Sequence, residues 1–188
     1  MTALQSKLAE CGFPKRHILF LAQIPSTPQS DTWLAKGRVI CDRYTQWLGS
    51  TCAIIGLRGT GKTQLATYCA YQLLQNIDRT IRYCTAMDFL VDIKSTFGHR
   101  DGPTESSVIA EYAKPSFLVI DEFDKRSETD WENNLLFYLL DRRYRSMKDT
   151  LLISNHGPRN FATSIGDSLV SRMNETGSIY TCDWESFR

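Results

Sequence analysis

Short strand-like runs, several of them continuously apolar, alternate along this chain with longer stretches whose apolar residues recur at helical spacing. The runs are Cys52-Ala53-Ile54-Ile55, Ile81-Arg82-Tyr83-Cys84, Ser116-Phe117-Leu118-Val119-Ile120, Thr150-Leu151-Leu152-Ile153 and a last one near 178–182. A run that stays apolar without alternating is the mark of a strand buried on both faces. Between the runs the periodicity predicts helices over 62–75, 86–97, near 104–113, over 128–147 and near 166–174. An earlier helix is predicted from Asp31, as its N-cap, to about Leu48, with Trp33, Leu34, Val39, Ile40, Tyr44 and Trp47 as its apolar positions. Residues 11–30 hold Pro14, Pro25 and Pro28 among polar residues and read as an irregular lead-in. Strands that alternate with helices imply an α/β fold: a parallel sheet of about five strands flanked by helices, joined by right-handed crossovers. At 188 residues, one such domain accounts for the chain.

The first strand runs directly into Gly56-Leu57-Arg58-Gly59-Thr60-Gly61-Lys62-Thr63, a complete G-x-x-x-x-G-K-[ST] phosphate loop, and a helix follows. Gly56, Gly59 and Gly61 lack a Cβ, so the backbone can fold tightly and present N–H groups to a polyphosphate. Lys62 supplies a mobile cation for the β- and γ-phosphates, and the Thr63 hydroxyl is placed to ligate Mg²⁺. Arg58, Thr60 and Gln64 complete the candidate contacts, and the helix N-terminus adds its partial positive charge. Strand, loop and helix together imply a nucleotide-binding protein.

Asp121 and Glu122 stand at the carboxyl end of the third run, the edge at which open α/β sheets bind ligands. Asp121 is the expected partner of Mg²⁺, and Glu122 the candidate base for an attacking water. Asn155 ends the next strand with an amide, which can bond the water or the γ-phosphate without adding negative charge beside Glu122. Taken alone, an acidic pair after a strand is also an ordinary solvated turn, and Asn155 an ordinary turn residue.

A net charge of +1 gives no global case for nucleic acid or membrane, so any nucleic-acid contact must come from local placement of charge. The six cysteines are scattered, without a C-x-x-C pair or a Cys/His cluster at metal spacing, which suits a reducing compartment. No apolar run approaches the ~20 residues that span a bilayer, and the first ten residues lack a signal-peptide pattern. The expectation is a cytoplasmic protein with no membrane partner.

The order of these motifs carries a resemblance. Asp-Glu after a strand, a long helix ending Leu140-Asp141-Arg142-Arg143-Tyr144, then Leu151-Leu152-Ile153-Ser154-Asn155 and Ser168-Leu169-Val170-Ser171-Arg172-Met173 resemble the bacterial and phage replicative-helicase loaders of DnaC/DnaI type. These are AAA+ ATPases, with the IstB-type transposition helpers as close kin. Phe13-Pro14-Lys15-Arg16 resembles the opening of that ATPase module, and Trp184-Glu185-Ser186-Phe187-Arg188 its closing motif. The resemblance implies an AAA+ core over 11–188 after a short segment 1–10; as a departure from larger AAA+ proteins, no separate helical lid domain is expected after the last strand. It implies ATP and Mg²⁺ as ligands, Asp121 and Glu122 as the Walker B pair and Asn155 as sensor 1. Arg172 falls at the arginine finger that reaches a neighbouring subunit's site, and Arg188 at a late, sensor-2-like arginine. The implied partners are further copies of the chain in a helical or ring oligomer, a replicative helicase and single-stranded DNA.

Members of that family contact single-stranded DNA after the second strand, here Met87 to Arg100, where Lys94 and Arg100 are the candidate phosphate contacts beside Ser95, Thr96 and His99. Phe97 could stack on a base, although helical spacing with Phe89, Leu90 and Ile93 favours the core for it. Arg142, Arg143 and Arg145 form a second basic cluster, which a helix C-terminus alone would justify. Two rival functions remain: a transposition-helper ATPase that binds duplex DNA, and a nucleotide-gated adaptor with little turnover.

Overall fold

The structure, a computed structural model, describes residues 2–23, 27–46, 49–76, 78–98 and 102–187. His99, Arg100, Arg188 and Trp47, each singled out by the sequence, lie outside the described residues. Five strands, β1 (Thr51–Gly56), β2 (Ile81–Thr85), β3 (Phe117–Asp121), β4 (Asp149–Ser154) and β5 (Ser178–Cys182), form one sheet in the order β2-β3-β4-β1-β5. Every pairing is parallel. The chain leaves β1, crosses to the far edge at β2 and returns strand by strand, so the carboxyl ends of β1, β3 and β4 meet where the order reverses.

The inner strands β1, β3 and β4 are fully buried because both of their faces are covered, whereas the edge strands β2 and β5 are only partly buried. Ala53, Ile55, Leu118, Ile120 and Leu152 face one side. There they pack against α5 (Ala86–Lys94), α6 (Glu105–Ala113), α7 (Asp130–Arg145), α8 (Pro158–Ile165) and α9 (Asp167–Thr176). Cys52, Ile54, Phe117, Val119, Leu151 and Ile153 face the other, against α1 (Ala3–Glu10), α2 (Lys15–Phe20), α3 (Pro28–Gln46) and α4 (Lys62–Asn76). Leu8 of α1 and Ile18 of α2 are fully buried in this second cluster.

Several helix boundaries follow from caps. Thr85, Thr104 and Thr129 each accept a bond from the third residue of the helix they open, and the residue there bonds back. The expected start at Asp31 is displaced: the Thr27 hydroxyl accepts from Ser30 N–H, Thr27 C=O accepts from Asp31 N–H, and Pro28 takes the first helical position. The irregular lead-in contains α2, since Pro14 begins a helix as readily as it breaks one. α8 begins in the same way, at Gly157-Pro158.

Three large apolar side chains on or next to these helices face solvent. Val39 and Tyr138 are exposed, because the core stripes run through Ile40 and Tyr44 on α3 and through Leu135, Leu136, Leu139 and Leu140 on α7. Phe97 lies past the end of α5 and is 56% exposed, its ring edge-on to Trp131 at 6.0 Å. Phe89, Leu90 and Ile93 take the core face of α5 as expected.

Arg142, Arg143 and Arg145 lie in the last turn of α7 as expected, and of these Arg143 is fully buried. Its guanidinium donates to Thr150 Oγ1 at 2.9 Å, to Asp149 C=O at 2.5 Å, and to the carbonyls of Tyr112, Ala113 and Pro115 at 3.2, 3.2 and 2.9 Å. It thereby satisfies the orphan carbonyls at the end of α6 and ties them to β4. Burial lowers its pKa to about 10, so it stays charged at neutral pH. Asp149 alongside pairs with Arg79 at 2.5 Å and accepts from Ser50 N–H at 2.7 Å.

Arg143→Met should destabilise the fold by about 3 kcal/mol or more, because it leaves several buried acceptors unpaired. Arg145→Met, at a side chain that is 77% exposed, should stay within about 0.5 kcal/mol. Urea unfolding of both variants measures the difference, and equal stabilities would contradict the role given to Arg143.

Candidate functional site

A cavity of about 420 Å³ opens where the carboxyl ends of β1, β3 and β4 meet, lined by the phosphate loop, Asp121, Glu122, Asn155 and residues of α2 and α3. Gly56, Gly59 and Gly61 have φ of 138°, 84° and 80°, the left-handed region that favours glycine. At Gly61 a Cβ would also stand 2.9 Å from Trp33 Nε1. The loop's carbonyls are engaged from within the chain. Lys62 Nζ donates to Gly56 C=O and Leu57 C=O, both at 2.7 Å, and Thr60 Oγ1 donates to Leu57 C=O at 2.8 Å. Gly59, Thr60 and Gly61 carbonyls accept from Phe187 N–H at 3.0 Å, Trp184 Nε1 at 2.9 Å and Trp33 Nε1 at 3.2 Å. Among the described residues the N–H groups of Leu57 to Gly61 donate to no acceptor. A loop with paired carbonyls and available N–H groups suits an anion.

Lys62 is buried, which lowers its pKa, while Asp121 and Asp124 pull the other way. Thr63 Oγ1 donates to Asp121 Oδ2 at 2.7 Å, and the Tyr83 hydroxyl donates to the same oxygen at 2.8 Å. Burial raises the Tyr83 pKa, and the adjoining Asp121 charge raises it further, so the phenol remains a donor. Thr63 and Asp121 offer hard oxygen donors beside the loop, a small set that fits Mg²⁺, which keeps most of its waters and shares phosphate oxygens. Among the described residues no cluster of three or more His, Cys, Asp or Glu could cage a metal.

Glu122 sits at φ 53° beside Asp121, whose Oδ1 accepts from Glu122 N–H at 2.6 Å, and its carboxylate pairs with Lys125. Asn155 lines the cavity with its amide held from behind. Its N–H donates to Asp124 Oδ1 at 2.7 Å, and Nδ2 donates to Oδ1 and Oδ2 at 3.2 and 3.0 Å. Burial alone would raise the Asp124 pKa, but the bonds from Asn155 outweigh it and hold the carboxyl below its ordinary value. A charged Asp124 fixes which end of the amide faces it, since the carbonyl oxygen would be repelled.

Gln64, a candidate nucleotide contact, lines the cavity but bonds α2: Nε2 donates to His17 C=O at 2.9 Å, and Oε1 lies 2.8 Å from His17 Nδ1. Arg58 is exposed at the cavity wall, whereas the buried Thr60 spends its hydroxyl inside the loop. Arg172 does not line the cavity. It pairs with Asp141 at 2.5 Å and lies over the rings of Tyr144 and Phe137 at 4.9 and 5.4 Å, against α7. Asp124, Tyr83 and Trp33 escaped the sequence reading. Asp124 alone carried a signal there, as a third carboxylate two residues after the pair.

A family model described as IstB-like ATP binding protein matches residues 46–174, from before the phosphate loop into α9. The chain is 30% identical over 134 residues to the replicative helicase loader DnaC of Buchnera aphidicola subsp. Baizongia pistaciae (strain Bp), covering 71% of this chain and 54% of that protein. The chain thus spans about half the length of the curated relatives it matches. A crystal structure of the DnaC helicase loader superposes with a TM-score of 0.65 at 20% identity, covering 84% of this chain and 92% of that one. The replication initiator DnaA bound to AMPPCP and single-stranded DNA gives a TM-score of 0.64 at 20% identity, covering 79% and 45%. The fold shared with these structures is the AAA+ P-loop NTPase core. Loop, sheet order and family model converge: the chain belongs to the IstB-like ATP-binding family.

Proposed function

We propose that this chain binds and hydrolyses ATP with Mg²⁺ and acts in DNA replication as a helicase loader. The carrying observation is the single cavity that gathers Lys62, Thr63, Asp121, Glu122 and Asn155 beside a loop with available N–H groups. The relatives named as replicative helicase loaders support the biological half of the reading, and the IstB-like family description keeps a transposition-helper role beside it. Binding to single strands in preference to duplex DNA separates the two.

Lys62 would exchange the carbonyls of Gly56 and Leu57 for phosphate oxygens. Mg²⁺, held through Thr63 and Asp121, would neutralise charge on the β- and γ-phosphates. Glu122 would leave Lys125, orient the attacking water and take its proton, while Asn155 fixes that water's position. Arg172 faces α7 rather than its own cavity, which favours a role in the site of a neighbouring copy and an assembly of several copies. Arg188, the remaining candidate contact, lies outside the described residues.

Lys94 and Phe97 support a DNA contact. The Lys94 ammonium lies 5.5 Å from the Trp131 ring, beside the exposed Phe97, so a cation and two aromatic surfaces stand together where a strand could pair a phosphate and stack a base.

Lys62→Ala should abolish the stabilisation that ATP with Mg²⁺ gives in a thermal shift, whereas Glu122→Gln should keep it and lose at least about 100-fold in kcat. A fully stabilised Lys62→Ala, or a Glu122→Gln within a few-fold of the parent, would remove these assignments. Asp124→Asn replaces the acceptor that holds Asn155 by a group of the same shape. Its kcat should fall about ten- to 100-fold with nucleotide Kd within about two-fold, because a misplaced amide costs orientation and not ground-state binding. Steady-state kinetics with calorimetry checks this; an unchanged kcat would leave Asp124 a purely structural residue.

A further inference from the structure

The described residues of the closing motif, Trp184-Glu185-Ser186-Phe187, make contacts of their own. The segment leaves β5 and passes directly onto the phosphate loop: Trp184 Nε1 donates to Thr60 C=O at 2.9 Å and Phe187 N–H to Gly59 C=O at 3.0 Å. Trp33, from the start of α3, donates to the next carbonyl, Gly61, at 3.2 Å. Three consecutive carbonyls of the loop are thus bonded by three donors from outside it. The segment is itself anchored. Gln29 Nε2 donates to Glu185 C=O at 2.6 Å, and Lys36 donates to Thr181 C=O at 2.6 Å while lying 5.4 Å from the Trp184 ring. The Phe187 ring reaches the cavity, 3.4 Å from where a Gly61 Cβ would stand.

Peptide groups in this loop cannot be adjusted singly. Each carbonyl is rigidly coplanar with the N–H of the next residue, so fixing the carbonyls of Gly59, Thr60 and Gly61 fixes the N–H directions of Thr60, Gly61 and Lys62. The Gly61 carbonyl also accepts from Leu65 N–H at 2.9 Å, but those of Gly59 and Thr60 depend on the outside donors, and without these the turn beside the glycines would sample other orientations at an entropic cost to any anion that must order it.

We propose that Trp184 and Phe187, with Trp33, are positioning residues for the phosphate loop, and that the 184–187 segment is a strap whose seating and nucleotide binding are linked. The strap acts through the loop, so it rests on the nucleotide reading of the cavity. Linkage is reciprocal: bound nucleotide holds the strap down by the same factor by which the strap improves nucleotide affinity.

The experiment measures the Kd of ATP with Mg²⁺ by calorimetry and the melting temperature without nucleotide, for the parent and three variants. Trp184→Phe keeps an aromatic ring and loses only the indole donor. Phe187→Pro removes the N–H that reaches Gly59, and Phe187→Ala removes the same ring but keeps that N–H. Trp184→Phe and Phe187→Pro should each weaken binding about three- to ten-fold, the worth of one neutral hydrogen bond, with the nucleotide-free melting temperature nearly unchanged. Phe187→Ala should bind more tightly than Phe187→Pro. Should Trp184→Phe fail to fold, the Phe187 pair decides, since that ring is 43% exposed. Parent-like affinity in Phe187→Pro, or identical affinities in the Pro and Ala variants, overturns the strap while leaving the nucleotide site standing. A parent that binds no nucleotide overturns the site and the strap together.

Discussion

A loop that is to hold a polyphosphate must turn several N–H groups toward one point, and the carbonyls joined to them must then find donors elsewhere. That demand shapes this molecule more widely than the loop's own length suggests. Five carbonyls, of Gly56, Leu57, Gly59, Thr60 and Gly61, are bonded by Lys62, Thr60, Phe187, Trp184 and Trp33. These donors come from the loop itself, from α3 and from the segment after β5, so parts remote in sequence converge on one short turn. The parallel order β2-β3-β4-β1-β5 makes the convergence possible: it puts β5 beside β1 and its continuation over the loop that β1 feeds.

The same sheet delivers the acidic and amide groups. β3 ends in Asp121 and β4 precedes Asn155, each on a strand buried on both faces and therefore rigid. Behind them stand residues whose work is orientation: Tyr83 and Thr63 on Asp121, and Asp124 on Asn155. Glu122 is the exception. It is half exposed, in a left-handed conformation and paired with Lys125.

How much of this was legible depended on the range of the signal. Apolar runs such as Phe117-Leu118-Val119-Ile120 disclose buried strands because burial on both faces leaves no polar position, and the phosphate loop is contiguous. The burial of Arg143 is not legible for the opposite reason: its partners include the carbonyls of Tyr112, Ala113 and Pro115, about thirty residues away, and backbone acceptors leave no trace in composition. Trp33 reads as an apolar helix position and Trp184 as part of a closing motif, and their indole N–H groups gain meaning only because the fold places loop carbonyls beside them. Phe97 fitted the helical period of α5, but the helix ends at Lys94, and the period has no force beyond it. α1 and α2 are short helices with few turns over which a pattern could repeat.

We propose, as the central claim, that each ATP site is finished by the Arg172 of another copy; within one chain this arginine pairs with Asp141 against α7 and does not line the cavity. The direct measurement mixes Arg172→Ala with Glu122→Gln chains and follows ATP turnover across mixing ratios. Each variant alone should be nearly inactive, the finger being worth on the order of 10³-fold or more in rate. Mixtures contain sites in which an intact Glu122 faces an intact Arg172, and partial activity should return there. Demonstrated co-assembly with no recovery at any ratio would contradict the account and return Arg172 to its ion pair with Asp141 as a structural residue.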